Sequence, residues 1–186
     1  MSFTFILVRA ILATKFIVKL PKGGLSMEVK SRLFKDTDAS KVSQLVSRTL
    51  MTTNIHDYSK EYLEHEINRL NEAFFIQKAQ QTHFYVFTID QTIVGTGAIG
   101  KYWNIPQEFS LFTIFVEPNL QGQGVGKFII QTLENDPYFK AATRVEIPAS
   151  ITALGFYKKM GYQPKNGQTK PDTEELFRLE KYPSHN

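Results

Sequence analysis

A glycine-rich turn between an apolar strand and an amphipathic helix constrains this chain more than any other feature of its sequence. The segment EFSLFTIFV, residues 108–116, is apolar and rich in β-branched and aromatic residues, which predicts a buried strand. NLQGQGVGKFII occupies residues 119–130, and apolar residues recur from Val125 at helical spacing. A strand followed by a glycine-rich segment and a helix predicts an α/β fold with a tight turn at the end of the strand.

Strand and helix patterns alternate along the rest of the chain and indicate one mixed α/β domain over residues 27–186. The expected order is a strand, two helices, a meander of three strands, and then helix, strand, helix and strand. No internal repeat or interdomain linker interrupts this order. The strand patterns cover residues 28–34, 83–89, 92–102, 108–116, 144–147 and 174–182, and the helical patterns cover 42–50, 59–74, 125–133 and 150–160.

The positive charge of the chain is concentrated at its beginning. The chain has 22 basic and 18 acidic residues, and residues 1–26 hold four of the basic residues and no acidic one. Residues 27–186 are therefore formally neutral, and no basic surface indicates nucleic-acid binding. The charges in residues 1–26 also interrupt its apolar runs, so this segment is a poor transmembrane span.

We interpret residues 1–26 as a leader outside the domain. The segment lacks the charged start of a signal peptide, although an amphipathic helix at a membrane surface stays open. We favour translated upstream sequence with Met27 as the true start. If the source is bacterial, Lys-Gly-Gly at residues 22–24 can be encoded by a purine-rich ribosome-binding site.

Metal and thiol chemistry find little support in the composition. The chain has no cysteine, which excludes disulfides, cysteine-ligated zinc and a cysteine nucleophile. The four histidines lack the spacing of a metal site, so we expect no bound metal. The absence of cysteine fits a reducing compartment, and we expect a cytoplasmic protein that binds neither nucleic acid nor membrane.

The glycine-rich turn has three competing interpretations as a phosphate loop, besides a turn that binds nothing. A Walker A loop fails because Gln121 stands where its first glycine is needed and Phe128 where its hydroxyl is needed. A dinucleotide-binding fingerprint fails because Lys127 replaces its third glycine. The pattern Q-x-x-G-x-G is met by Gln121, Gly124 and Gly126. Such a loop places unpaired N–H groups and the positive end of a helix dipole against an anion.

A second motif after the next strand decides between these interpretations. SITALGFYKKMGY, residues 150–162, places Ala153 and Tyr157 at the spacing N-x-x-A-x-x-aromatic-Y, followed by a glycine and an aromatic. With the Q-x-x-G-x-G loop it resembles the GNAT superfamily of acyl-CoA N-acyltransferases, and the resemblance extends over residues 28–182. Ser150 departs from the pattern, since the family often has asparagine there. The resemblance implies a single mixed, mostly antiparallel sheet flanked by helices.

The resemblance also implies acetyl-CoA as co-substrate, without a metal. Strand 108–116 is expected to splay from strand 144–147, so that pantetheine pairs between them and backbone N–H groups polarise the thioester carbonyl. The glycine loop is expected to hold the pyrophosphate. The residues that the resemblance assigns to acetyl-CoA binding are Phe115, Val116, Gln121, Gly122, Gln123, Gly124, Val125, Gly126, Lys127 and Ser150.

The resemblance implies fewer specific residues for catalysis and for binding of the acceptor. Tyr157 stands where the family's tyrosine protonates the leaving thiolate. The family often uses a glutamate on the central strand as base, and Glu108 is the first candidate here, although water alone is an alternative. The acceptor is expected beside the loop that contains Asp57 and Tyr58, with Trp103 in the strand connection nearby.

The most favoured function is transfer of the acetyl group of acetyl-CoA to a primary amine by direct attack in a ternary complex. We expect a small-molecule amine, because no groove for a long charged polymer is indicated. Dimers are common in the family, so a homodimer is an expectation by analogy. A regulator that binds acetyl-CoA without catalysis, or an interaction module of the same fold, stays open as an alternative.

Overall fold

A computed structural model describes residues 15–18, 26–103 and 105–184. Within these residues, one sheet has eight strands. They are β1 Lys15–Val18, β2 Met27–Leu33, β3 Thr82–Ile89, β4 Thr92–Lys101, β5 Glu108–Val116, β6 Arg144–Ala149, β7 Gln163–Pro164 and β8 Phe177–Lys181. Their order in the sheet is β1-β2-β3-β4-β5-β6-β8-β7. The pair β5–β6 is parallel, and every other neighbouring pair is antiparallel.

Helices cover both faces of this sheet, as the expected fold requires. The side chains of β3 alternate, so that Phe84 and Val86 pack with the helices on one face while Tyr85 and Phe87 pack with those on the other. This alternation confirms the single mixed sheet flanked by helices. The helices are α1 Ala39–Thr52, α2 Lys60–Arg69, α3 Glu72–Gln81, α4 Val125–Glu134, α5 Pro137–Lys140 and α6 Leu154–Lys159, with short 3-10 turns at Asp36–Asp38, Asn54–His56, Pro118–Leu120 and Lys165–Gly167.

The single helix predicted over residues 59–74 is wrong, because the structure divides it into α2 and α3. Ser59 caps α2 as expected, with its hydroxyl accepting from the N–H of Tyr62 at 3.2 Å. Leu70 leaves helical geometry with a ψ of 50°, and the Asn71 side chain then accepts from the N–H of Phe74 at 3.1 Å. An asparagine cap inside the apolar stripe therefore starts a new helix.

Other boundaries differ by a few residues. Strand β6 continues to Ala149 and α6 begins only at Leu154, whereas the sequence pattern ended the strand at residue 147 and began the helix at residue 150. The last strand, β8, is shorter than predicted. Strand β7, which pairs with β8, was not predicted from the sequence. Among the described residues, no helix is both long and apolar enough to cross a membrane.

A short part of the predicted leader lies on the sheet. Residues 15–18 form β1, which pairs antiparallel with β2 at the edge. Phe16 stacks on Phe128 of α4, with ring centroids 5.4 Å apart. The rest of the leader lies outside the described residues, so its predicted origin stays a prediction.

The ion pair between Arg32 and Asp38 gives the fold a pH-dependent contribution. Burial alone would raise the pKa of Asp38, but Arg32 at 2.6 and 2.8 Å and the N–H of Lys35 at 2.9 Å hold it below the ordinary value. A depressed carboxyl pKa stabilises the fold above the pKa of the unfolded chain. That stabilisation is lost as the pH falls through the folded pKa.

We therefore expect Asp38→Asn to lower the free energy of unfolding at neutral pH by about 1.5–3 kcal/mol. The difference from the unsubstituted protein should shrink as the pH falls below about 4, because wild-type Asp38 is then protonated as well. Urea denaturation over this pH range measures both effects. Asp36→Asn removes an exposed carboxylate two residues earlier and serves as the control. A pH-independent loss for Asp38→Asn would contradict the assignment.

Candidate active site

Two neighbouring strands separate halfway along their length. The parallel pairing of β5 with β6 begins at Glu108 with Arg144 and ends at Ser110 with Glu146. Beyond that point, residues 111–116 line one wall of a cavity of about 720 Å³, and Ile147, Pro148 and Ser150 belong to its other wall. The predicted splay between these strands is thus confirmed. It leaves one edge of β5 without a strand partner, and its backbone N–H and C=O groups can pair with a ligand.

A bulge bends β5 inside this cavity. The register between β4 and β5 shifts between Thr96 and Ala98, and Thr113 has a φ of +49°. The Thr96 hydroxyl donates to the Thr113 carbonyl at 2.7 Å and secures the bulge. Bulges next to functional sites redirect the backbone and side chains that follow them. Here the residues that follow are those expected to face the thioester, Phe115 and Val116.

The glycine-rich loop forms one end of the cavity and presents unpaired backbone donors. Gly124 lies before α4 with φ 92° and ψ −7°, a conformation that favours glycine. Its carbonyl accepts the first bond of the helix, from the N–H of Phe128 at 3.0 Å. The N–H groups of Val125, Gly126 and Lys127 precede that bond and have no partner within the helix. This geometry fits a pyrophosphate at the helix N-terminus.

Gln121 holds the loop to the end of β5 and to Thr53, the residue that follows α1. Its side-chain nitrogen donates to the carbonyl of Val116 at 3.1 Å and to the hydroxyl of Thr53 at 3.0 Å. The Thr49 hydroxyl also lies 3.2 Å from the Val116 carbonyl. The glutamine of the motif therefore fixes the loop relative to the end of β5.

Tyr157 lines the cavity from α6, and its side chain is otherwise enclosed by packing. Its ring contacts Phe156 and Tyr162 at centroid distances of 5.1 and 6.2 Å. None of the described residues makes a hydrogen bond to its hydroxyl. Burial raises the pKa of Tyr157 well above that of an exposed tyrosine. The hydroxyl therefore stays protonated at neutral pH and is available as a proton donor.

Comparison with known proteins assigns the chain to a family. Residues 46–179 match the model of the acetyltransferase (GNAT) domain, which is well over half of the chain. The chain belongs to the GNAT acetyltransferase family. This GNAT acetyltransferase is therefore an acyltransferase, as the two sequence motifs predicted. A sequence search of curated proteins found no match.

Solved structures share the fold at low sequence identity. The PaiA N-acetyltransferase from Thermoplasma acidophilum, solved with coenzyme A, has a TM-score of 0.72 and 17% identity, covering 84% of this chain and 99% of that one. A GCN5-related N-acetyltransferase from Rhodopseudomonas palustris has a TM-score of 0.68 and 22% identity over 86% and 99%. The ribosomal-protein-S18-alanine N-acetyltransferase from Escherichia coli has a TM-score of 0.56 and 14% identity over 82% and 90%.

Most residues that the sequence assigned to acetyl-CoA and catalysis come together in the GNAT acetyltransferase. Two residues of the glycine-rich loop, Gln123 and Val125, do not line the cavity. The Val125 side chain is fully buried in the core, and the Gln123 side chain donates to the Asn119 carbonyl at 2.7 Å. Residues of the sequence-based set that line the cavity are Tyr58, Phe115, Val116, Gln121, Gly122, Gly124, Gly126, Lys127, Ser150 and Tyr157.

The structure does not bring Glu108 to this cavity. Glu108 lies at the start of β5, at the opposite end of the strand from Val116, and pairs with Arg144 at 2.6 Å. The hydrogen bond from Arg144 lowers the pKa of Glu108, which makes this carboxylate a weaker base. Trp103 is 76% exposed and also lies outside the cavity lining.

Ser150 belongs to the cavity lining, whereas Asp57 lies outside it and contacts it only through a hydrogen bond to a lining residue. The Thr152 hydroxyl, which belongs to the lining, donates to Asp57 at 2.5 Å. The Ser150 hydroxyl accepts from the N–H of Ala153 at 3.3 Å and so stabilises the turn before α6. The Ser150 O–H can still donate to a ligand.

Tyr58 links three segments around the cavity. Its hydroxyl accepts from the N–H of Ile151 at 3.0 Å and donates to the carbonyl of Glu175 at 3.2 Å.

Tyr58→Phe leaves both backbone groups without this partner, so we expect a loss of about 1–3 kcal/mol in the free energy of unfolding. Urea denaturation measures it. Tyr62→Phe is the control, because the Tyr62 hydroxyl lies 3.5 Å from its acceptor carbonyl and is more exposed. Equal losses in the two variants would contradict this role.

The part of the cavity formed by α2 and α3 was not predicted from the sequence. Tyr62 and Glu66 follow Tyr58 at helical intervals of four residues, which was the available signal. Arg69 binds Glu66 through two hydrogen bonds of 3.0 and 2.6 Å. Lys78 completes this region from α3. Among the described residues, Glu66 is the only carboxylate in the lining, and no three acidic or histidine side chains form a metal-binding group.

Proposed function

We propose that this GNAT acetyltransferase moves the acetyl group of acetyl-CoA to a primary amine of a small molecule by direct attack in a ternary complex. One observation carries the proposal. A single cavity joins the glycine loop, the unpaired edge of β5 and the Tyr157 hydroxyl, and it continues to α2 and α3. Both substrates can therefore occupy one continuous space, as direct transfer requires.

Acetyl-CoA supplies the acetyl group as a thioester, and the chain supplies its orientation. We assign the pyrophosphate to the N–H groups of Val125, Gly126 and Lys127, with the Lys127 charge nearby. The free edge of β5 pairs with the extended pantetheine arm in the manner of an added strand. Backbone N–H groups near Phe115 and Val116 then hydrogen-bond the thioester carbonyl and stabilise the charge that develops on its oxygen.

The reaction needs a proton donor for the leaving sulfur and a proton acceptor for the amine. The nitrogen–carbon bond forms as the carbon–sulfur bond breaks, and the Tyr157 hydroxyl gives its proton to the departing sulfur. The tyrosinate then regains a proton from water. The attacking amine must be neutral, and it loses a further proton after attack. Because Glu108 lies outside the cavity and Glu66 is paired with Arg69, we assign both amine deprotonations to water.

The test is release of coenzyme A from acetyl-CoA in the presence of a panel of primary amines. We expect amine-dependent release of free thiol, with one acetylated amine formed for each coenzyme A, as mass spectrometry measures. Acetyl-CoA that binds tightly but releases no coenzyme A with any amine would support the regulatory alternative. Failure to bind acetyl-CoA at all would favour an interaction module and contradict the proposal.

A further inference from the structure

Lys78 places a positive charge in the cavity, far from the glycine loop. Its ammonium lies 4.5 Å from the ring centroid of Phe112 on β5 and 5.5 Å from that of Phe74. The side chain is half-buried and belongs to the cavity lining. Within the described part of the chain, no carboxylate lies at ion-pair distance from it. Aromatic faces favour a cation, but they do not replace a counter-ion.

The neighbouring charges leave this positive charge uncompensated. Arg69 is satisfied by Glu66, whose side chain is only 18% exposed and binds the guanidinium at two points. Burial, together with repulsion from Arg69, lowers the pKa of Lys78. The charged lining residues at this end are Arg69, Lys78 and Glu66, and they sum to +1 when Lys78 is protonated. Glu174 outside the lining also interacts with Arg69, but it is paired with Arg178. An anion bound there would restore neutrality.

The anionic groups of acetyl-CoA belong to the opposite end. Phe112 precedes Val116 by four residues. An extended strand rises about 3.3 Å per residue, so these positions lie roughly 13 Å apart, or somewhat less across the bulge. The ring that contacts Lys78 is thus separated from the strand end that adjoins the glycine loop. The space between them is where an acceptor would lie.

We propose that Lys78 binds a carboxylate of the acceptor, so that the substrate class is a primary amine with a carboxylate at its other end. This proposal rests on the proposed acetyl transfer and names its acceptor. The Lys78 ammonium pairs with the carboxylate, and the amine extends toward Phe115 and Val116. A second cationic group on the acceptor, as in a diamine, meets repulsion from Lys78.

The test compares acceptors that differ only in charge at the far end. The panel contains ω-amino carboxylates of increasing length, n-alkylamines of the same lengths and the matching diamines. We expect the best ω-amino carboxylate to exceed its alkylamine in kcat/KM by about 10–100-fold, with the diamine lowest. In Lys78→Met this preference should collapse toward equality while acetyl-CoA affinity is unchanged. Lys41→Met removes an exposed lysine of α1 outside the cavity and should retain the preference.

Some results would contradict the carboxylate site at Lys78 without contradicting acetyl transfer. Acetylation of alkylamines or diamines as fast as of amino carboxylates would retain the transferase and overturn the carboxylate site. An equal loss for charged and uncharged acceptors in Lys78→Met would assign Lys78 a structural role and also overturn it.

Calorimetry provides a readout that does not depend on turnover. N-acetyl-ω-amino carboxylates and N-acetyl-alkylamines are titrated into the protein with coenzyme A. Carboxylate-selective binding that Lys78→Met abolishes supports the site, even if no amine is acetylated and the proposed transfer fails. Binding without such selectivity, or no binding of either compound, overturns the site.

Discussion

Replacement of Tyr157 by phenylalanine is expected to lower kcat for acetyl transfer by about 100-fold or more, the range of a lost general acid. Tyr157 lines the cavity, and its hydroxyl makes no hydrogen bond within the described residues. A tyrosine is protonated at neutral pH, and burial raises the pKa of Tyr157 further. Phenylalanine preserves the ring contacts with Phe156 and Tyr162. Acetyl-CoA affinity should therefore stay unchanged, and initial rates of coenzyme A release measure the effect.

Tyr162→Phe is the matched control for that experiment. Tyr162 is buried beside Tyr157, but its hydroxyl donates to Glu134 at 3.2 Å and lies outside the cavity lining. This substitution should reduce stability and leave kcat close to the wild-type value. A Tyr157→Phe variant with wild-type kcat would contradict the assignment of the proton donor, and so would equal losses of kcat in the two variants.

Replacement of Gly124 by alanine is expected to weaken acetyl-CoA binding by about 10–100-fold, because the loop must leave its left-handed conformation. Its φ of +92° strains any residue with a β-carbon, and that carbon would lie 3.0 Å from the Phe16 ring. Relief of this strain moves the N–H groups that precede the first bond of α4. Isothermal calorimetry with acetyl-CoA measures the loss.

Gly167→Ala is the control for Gly124→Ala, because it introduces similar backbone strain away from the proposed ligand site. Gly167 has a similar φ of +70°, but its added β-carbon meets nothing within 4 Å, and the residue lies outside the cavity. Gly167→Ala should cost about 1 kcal/mol of stability, and Gly124→Ala at least as much because its β-carbon also meets the Phe16 ring. Only Gly124→Ala should weaken acetyl-CoA binding. Equal acetyl-CoA affinities in Gly124→Ala and the unsubstituted protein would show that the loop does not bind the co-substrate.

Local signals in the sequence predicted the part of the cavity that we propose for acetyl-CoA. The glycine loop follows a strand within a few residues, and the spacing from Ser150 to Tyr157 falls within one turn and helix, so chain order alone brings these groups together. The break between α2 and α3 also had a local signal, the capping Asn71, although the apolar stripe obscured it. Propensity and capping compete in such a segment, and here the cap determines the structure.

The part of the cavity that we propose for the acceptor depends on contacts between residues distant in sequence. Glu108 was a reasonable base by position on its strand, but Arg144, 36 residues later, pairs with it away from the cavity. Lys78 meets Phe112 only because α3 packs against the sheet, and no spacing in the sequence indicates that contact. Side chains whose roles depend on tertiary pairing could not be predicted from a single chain.

A single-turnover experiment tests the central claim most directly. The protein in excess is mixed with acetyl-CoA that carries a labelled acetyl carbon, with and without the best amine of the panel. We predict that the label moves to the amine as coenzyme A is released one for one, and that no label remains on the protein when the amine is omitted. Label on the protein in the absence of amine, or hydrolysis in place of amine acetylation, would contradict direct transfer within one complex.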